Sequence, residues 1–274
     1  MTYCAAIRVN EGLVFAADTR TSAGVDDVRT YNKLHPYELD NGVFVILSAG
    51  NLATTQSVLA QLQRDLNEAG AKTLATMRHM YDAAEYLGQL VVAAQRQIQS
   101  DGSYTTVDFR TTLILGGQVR GEAPALYLVY PEGNCISTSP ETPYLQIGEH
   151  KYGKPILDRI IRSDTPLEDA ARCVLVSLDS TMKSSLSVGP PLDLVLIPTD
   201  TLQVGHRLRL DFDTPYYARL KEGWSRSIQT AFRDLPRFEW ELARDPAGSA
   251  AINTPARPGA EPLQQQAQQS QTQK

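Results

Sequence analysis

Apolar positions along this chain switch between two periods, and the switches divide it into layers. Residues 2–9 and 13–18 are runs of β-branched, aromatic and small apolar residues around the polar turn Asn10-Glu11-Gly12, which predicts a hairpin. Asn41-Gly42 between residues 37–40 and the apolar run 43–47 predicts a second hairpin, whose inner strand is covered on both faces. That strand ends at Ser48-Ala49-Gly50, small residues that permit close backbone approach.

The period then lengthens. Leu52, Thr55, Leu59, Leu62 and Leu66 form one helical stripe, with Gly70 as its stop; Met77, Tyr81, Ala84, Leu87, Val91, Ala94 and Ile98 form another, ending near Asp101-Gly102. Strands return at 111–115, 125–130 and 135–138, with turns at Gly116-Gly117 and Pro131-Glu132-Gly133-Asn134. Helices follow at 154–161 and from Thr165-Pro166-Leu167-Glu168, which has the form of a capping box with proline at the first helical position. A strand pair, 192–197 and 202–210, precedes a last helix from Thr214-Pro215, with Tyr217, Leu220, Trp224, Ile228, Ala231 and Leu235 at helical spacing. Its apolar face fits either its own domain or a neighbouring subunit. Strands, two helices, strands, two helices, strands and a helix satisfy every apolar face in an α+β, four-layer αββα sandwich, with two antiparallel sheets between helix layers. The domain spans residues 2–240, the last helix included, and the Gln-, Pro- and Ala-rich tail 245–274 is expected to be disordered.

Composition narrows the function. An apolar content of 42% is ample for a core, and a net charge of −5 argues against a nucleic-acid binder. No stretch has the form of a secretory signal or a membrane span, so a cytoplasmic protein without a membrane partner is expected. Cys4, Cys135 and Cys173 suggest neither a disulfide framework nor a zinc site, and His35, His79, His150 and His206 show no ligand spacing, so no metal or cofactor is expected.

The candidate chemistry lies at the start of the chain. Threonine is small, so Met1 is expected to be trimmed, leaving Thr2 with a nucleophilic hydroxyl beside a free α-amine. Such an amine titrates at about 7.7–8.0, which suits a general base. A nearby ammonium, Lys33, would keep it neutral by like-charge repulsion, and a carboxylate, Asp18, would hold that ammonium. Cys4 is rejected as nucleophile because it would require trimming of three residues and would break the spacing to Asp18.

Thr2, Ala17-Asp18-Thr19-Arg20, Lys33 and Ser48-Ala49-Gly50, taken in this order, resemble the β-type subunits of the proteasome family, the N-terminal-nucleophile threonine hydrolases. Asp18 follows Thr2 by 18 − 2 = 16 positions, the family's spacing; Lys33 follows by 33 − 2 = 31, one short of it. Thr2-Tyr3-Cys4 and the run from Leu47 to Gln56 are most similar to the bacterial Anbu branch, the ancestral β-subunit. The resemblance covers roughly residues 2–240. It implies the αββα fold, Thr2 as nucleophile and base, Lys33 and Asp18 as its charged partners, Arg20 behind them, and Gly50 as oxyanion donor. It also implies peptide-bond hydrolysis through an acyl ester on Thr2, a peptide or unfolded-protein substrate, and a homo-oligomer in rings or open helical rings. Nothing in the chain indicates an ATP-driven unfoldase. The family's accessory Ser, Asp and Ser match poorly. No serine stands near Gly148-Glu149, and the loop 183–189 offers Ser185 and Ser187 as accessory candidates without an Asp-x-x-Ser-Gly. A narrow-substrate amidase and a catalytically silent scaffold therefore remain as alternative readings. Tyr3 is expected to pack between sheet and helices.

Overall fold

A computed structural model describes residues 2–22, 28–100 and 107–242. It forms two units, one up to Ser225 and one from Arg226 on. In the first, strand β1 (Tyr3–Val9) pairs antiparallel with β2 (Gly12–Asp18), the hairpin that the opening pattern predicts. β3 (Arg20–Ser22) and β4 (Val28–Thr30) form a separate short ribbon. β5 (Leu34–Leu39) and β6 (Gly42–Gly50) form the second predicted hairpin. Then come helix α1 (Leu52–Asn67), α2 (Met80–Ser100), the strands β7 (Thr111–Val119), β8 (Ala125–Val129), β9 (Cys135–Ser137) and β10 (Tyr144–Gly148), helices α3 (His150–Ile160) and α4 (Leu167–Ser184), strands β11 (Leu192–Pro198) and β12 (His206–Leu210), and the start of α5 (Pro215–Arg233).

The strands build two five-stranded sheets, β10-β1-β2-β11-β12 and β5-β6-β7-β8-β9, with every pairing antiparallel. Three apolar cores separate the layers. Val14, Ala16 and Leu194 of the first sheet pack against Leu157, Val174 and Leu178 of α3 and α4. Phe44, Ile46 and Leu115 of the second pack against Val58, Leu62, Leu87 and Val91 of α1 and α2. Cys4, Phe15, Val45, Ile114 and Val195 fill the space between the sheets. This is the expected αββα sandwich, and it accounts for the unbroken apolar run 43–47, since β6 has a core on either face.

Several local expectations fail for identifiable reasons. Gly116-Gly117 is not a turn but the middle of β7. A Cβ at Gly116 would lie 2.5 Å from the Phe15 ring, so the glycine makes room for an aromatic between the sheets. Thr165 does not cap α4: its Oγ1 accepts from the Arg162 N–H, and Glu11, reaching over from the first hairpin turn, accepts from the Leu167 N–H at 2.8 Å. The second long helix starts at Met80, because residues 74–76 form a separate 3₁₀ turn that Asn41 holds by donating to the carbonyls of Leu74 and Met77. Tyr81, placed in the apolar stripe by periodicity, is half exposed. Within the first unit, Tyr217 of α5 is fully buried and Leu220 packs on the same core.

In the second unit, Ile228, Phe232 and Leu235 are exposed, and Phe238 and Trp240 stack with ring centroids 4.3 Å apart beside the short helix α6 (Glu239–Leu242). The expected end of the second long helix at Asp101-Gly102 and the expected disordered tail lie outside the described residues. No helix among the described residues is long and apolar enough to cross a membrane.

Candidate active site

Four strand ends converge at one end of the sandwich. Thr2 immediately precedes β1, Asp18 closes β2, Lys33 immediately precedes β5, and Gly50 closes β6. Because β1 and β2 are hairpin partners, the start of one lies beside the end of the other; the same holds for β5 and β6. The antiparallel pattern thus gathers residues that are widely spaced in sequence.

Asp18 is the hub. It is fully buried, and its Oδ1 accepts from the Tyr3 N–H at 3.0 Å and from Lys33 Nζ at 2.7 Å, while Oδ2 accepts from the Gly189 N–H at 3.3 Å. Burial raises its carboxyl above the ordinary carboxylate range, and the Lys33 ammonium, with the Tyr3 and Gly189 donors, offsets only part of that rise. Each of these oxygens faces N–H donors alone, so the group is held as a carboxylate. Lys33 is almost as buried and also donates to the Arg20 carbonyl at 2.5 Å. Two acceptors therefore fix its ammonium.

Thr2 is positioned by backbone. Its carbonyl accepts from the Glu149 N–H at 2.7 Å, and Tyr3 pairs with Gly148 of β10. Gly148 has φ +82°, and a Cβ there would lie 1.9 Å from the Thr2 oxygen, so only glycine fits. One cavity of about 460 Å³ is lined by Thr2, Lys33, Ser48, Gly50 and Glu149 among its described residues. Gly50, at φ +114°, is likewise confined to glycine: a Cβ would meet the Arg110 carbonyl at 2.5 Å.

Of the residues singled out in the sequence, Thr2, Lys33 and Gly50 share this cavity and Asp18 bonds directly to Lys33. Arg20 turns away: its guanidinium donates to the Leu186 carbonyl at 2.8 Å and lies against Gly189, bracing the loop whose Gly189 N–H reaches Asp18. Ser185 and Ser187 hydrogen-bond each other at 2.8 Å and are not among the cavity's described lining residues. Tyr3 packs as expected, fully buried, with its hydroxyl bonded to Ser177 and Gln146. Burial pushes the Cys4 thiol up, which leaves it a poor nucleophile. Gly148 and the backbone N–H groups of Glu149 and Gly189 carry parts that sequence reasoning did not assign. A glycine directly after the short, largely apolar stretch Tyr144-Leu145-Gln146-Ile147 was the one available signal.

An αββα sandwich with a threonine opening its first strand and a buried Asp–Lys pair beneath it is the architecture of the N-terminal-nucleophile hydrolases. The chain belongs to the proteasome family: the family model described as "Proteasome subunit" matches residues 2–197. It is similar to the solved Anbu (ancestral beta-subunit) from Yersinia bercovieri, at 44% identity and TM-score 0.80, covering 86% of this chain and 98% of that one. Anbu from Hyphomicrobium sp. strain MC1 is 46% identical, with TM-score 0.78 and coverage of 86% and 99%. The helical assembly of the Anbu complex from Pseudomonas aeruginosa is 41% identical, with TM-score 0.80 and coverage of 86% and 98%. A proteasome subunit beta of Haloquadratum walsbyi is 23% identical over 203 residues, 72% of this chain and 74% of that protein.

Proposed function

We propose that this chain is a threonine-type peptidase that cleaves peptide bonds through an acyl ester on Thr2, once Met1 has been removed. The observation that carries the reading is the set of strand ends: Thr2, Lys33 and Gly50 line one cavity, and Asp18 bonds both Lys33 and the N–H of the residue after Thr2. In the first step the neutral α-amine of Thr2 takes the hydroxyl proton as Oγ attacks the substrate carbonyl. The Lys33 ammonium beside it disfavours a second positive charge and so keeps the amine neutral. The Gly50 N–H stabilises the tetrahedral oxyanion. The protonated amine then gives its proton to the departing amine, and water hydrolyses the ester by the same route in reverse. Arg20 acts on the loop behind Asp18, away from the reacting atoms.

The enzyme works as a cytoplasmic homo-oligomer on peptides or unfolded protein. The relative from Pseudomonas aeruginosa, solved as a helical assembly, supports an open helical arrangement. Intact mass before and after incubation with a peptide epoxyketone, which captures a threonine Oγ and a free α-amine together, tests the chemistry. The expected species lacks Met1 and gains one inhibitor mass. A Met1-free chain that gains none counts against the peptidase and leaves a silent scaffold or a narrow-substrate amidase whose pocket excludes the inhibitor.

A further inference from the structure

The Glu149 side chain stands apart in this cavity. Its backbone N–H holds the Thr2 carbonyl at 2.7 Å, which ties the residue to the nucleophile. The residue is half-buried and lines the same cavity as Thr2 and Lys33. It occupies the N-cap position of α3, and its carboxylate makes no bond to the first helical N–H groups. Among the described residues it has neither a hydrogen-bond partner nor an ion-pair partner.

The charges around it are already committed. Lys33 is neutralised by Asp18 at 2.7 Å. The Arg20 guanidinium is on the Leu186 carbonyl. On α3 itself, Lys151 lies over the Tyr152 ring, Lys154 pairs with Asp158, and His150 Nδ1 meets the Gly148 carbonyl. Among the described lining residues, Glu149 is thus the uncompensated charge. A partly desolvated carboxylate without a partner is held at a free-energy cost that an incoming cation relieves. The Thr2 amine is not that cation in the resting site, because it must be neutral before attack to act as base.

We propose that Glu149 is a specificity determinant, selecting substrates that carry an ammonium or guanidinium group next to the carbonyl that Thr2 attacks. The proposal rests on the reading of Thr2 as nucleophile. Two peptide epoxyketones, identical except for lysine or its neutral analogue norleucine beside the warhead, separate the two ideas. Their second-order labelling rates are measured by intact mass on the full chain and on Glu149→Gln. A charge-assisted hydrogen bond predicts that the native protein favours the lysine compound by about tenfold or more. In Glu149→Gln that ratio falls close to one. Because each ratio is taken within one protein, partial loss of folding cancels.

A native protein that labels with both compounds at equal rates overturns the Glu149 assignment and leaves the nucleophile intact. So does an unchanged ratio in Glu149→Gln, the result expected if Glu149 paired with the Thr2 amine instead. Labelling by neither compound overturns the nucleophile and the selectivity together.

Discussion

Breaking the Asp18–Lys33 pair from one side should unfold the site, while removing both charges should be far better tolerated. The two side chains are 0% and 5% exposed, with N and O 2.7 Å apart. At an effective dielectric of about 20, Coulomb's law gives an attraction of about 6 kcal/mol at this distance. Desolvation costs several kcal/mol per ion, so the net contribution of the intact pair is small. A single substitution leaves the partner's charge buried and unmatched, at a cost of about 3–5 kcal/mol. Asp18→Asn adds a second fault, since the amide presents N–H where either the Gly189 N–H or the Tyr3 N–H needs an acceptor. Lys33→Met fills the volume without the charge. Urea unfolding of Asp18→Asn, Lys33→Met and the double variant closes a thermodynamic cycle. Each single change is expected to lower stability by about 3–5 kcal/mol, and the double by clearly less than their sum. All three should lose epoxyketone labelling. Strict additivity would refute the coupling. Single losses under about 1 kcal/mol would show that the pair is solvated rather than buried.

Gly148→Ala puts a Cβ 1.9 Å from the Thr2 oxygen at φ +82°. A shift of the nucleophile by about 1 Å should slow labelling about a hundredfold, read by intact mass, and native-rate labelling would refute backbone positioning. Ser185→Ala and Ser187→Ala remove a hydroxyl pair that is not among the cavity's described lining residues, so labelling should stay within about twofold even where loss of the buried Ser185 hydroxyl lowers stability. Tyr3→Phe removes one hydrogen bond from Ser177 and one from Gln146, which keep the Gly153 and His150 carbonyls, so it should cost about 1 kcal/mol in urea unfolding while the labelling rate holds. The exposed His79–Glu122 pair should make stability pH-dependent. His79 is raised and Glu122 lowered by their mutual hydrogen bond, so the contribution is lost as pH rises through the folded histidine value and as it falls through the folded glutamate value. Melting curves of His79→Asn should therefore converge on the native ones at both ends of that window.

The parts of this fold that were legible in sequence are those where one local rule acts alone. Asn41-Gly42 between apolar runs fixed a hairpin, and the run 43–47 is apolar throughout because β6 has a core on both sides. Periodicity found both helix layers for the same reason. What failed was decided by distant neighbours. Gly116 reads as a turn until Phe15, a hundred residues earlier, is placed against it. Thr165 reads as a cap until Glu11 takes the helix end. β10 went unread because 144–148 is short, has no period-2 alternation, and acquires meaning only beside β1. In the site, charged residues at strand ends were visible by type and spacing. The backbone donors of Glu149 and Gly189 were not, since an N–H carries no mark in the sequence.

The groups that set the position of Thr2 are backbone atoms: the Glu149 N–H on its carbonyl, the β1–β10 pairing at Gly148, and the next residue's N–H on Asp18. The ammonium beneath it is held by a carboxylate and a carbonyl at the ends of strands anchored in three cores. None of these holds depends on the side chains of the loop 185–191, which touches the site through the Gly189 N–H, the Leu186 carbonyl on Arg20 and the Pro191 carbonyl on Thr19. Thr2, Lys33 and Asp18 thus sit in a frame set by strand pairing. A carboxylate at 149 adds a partner for a cation without disturbing that frame, because the same residue's backbone does the positioning. Chemistry and selectivity are then separable in one residue: substitution of the Glu149 side chain should alter which substrates are taken, and loss of its N–H by Glu149→Pro should alter whether any is cleaved.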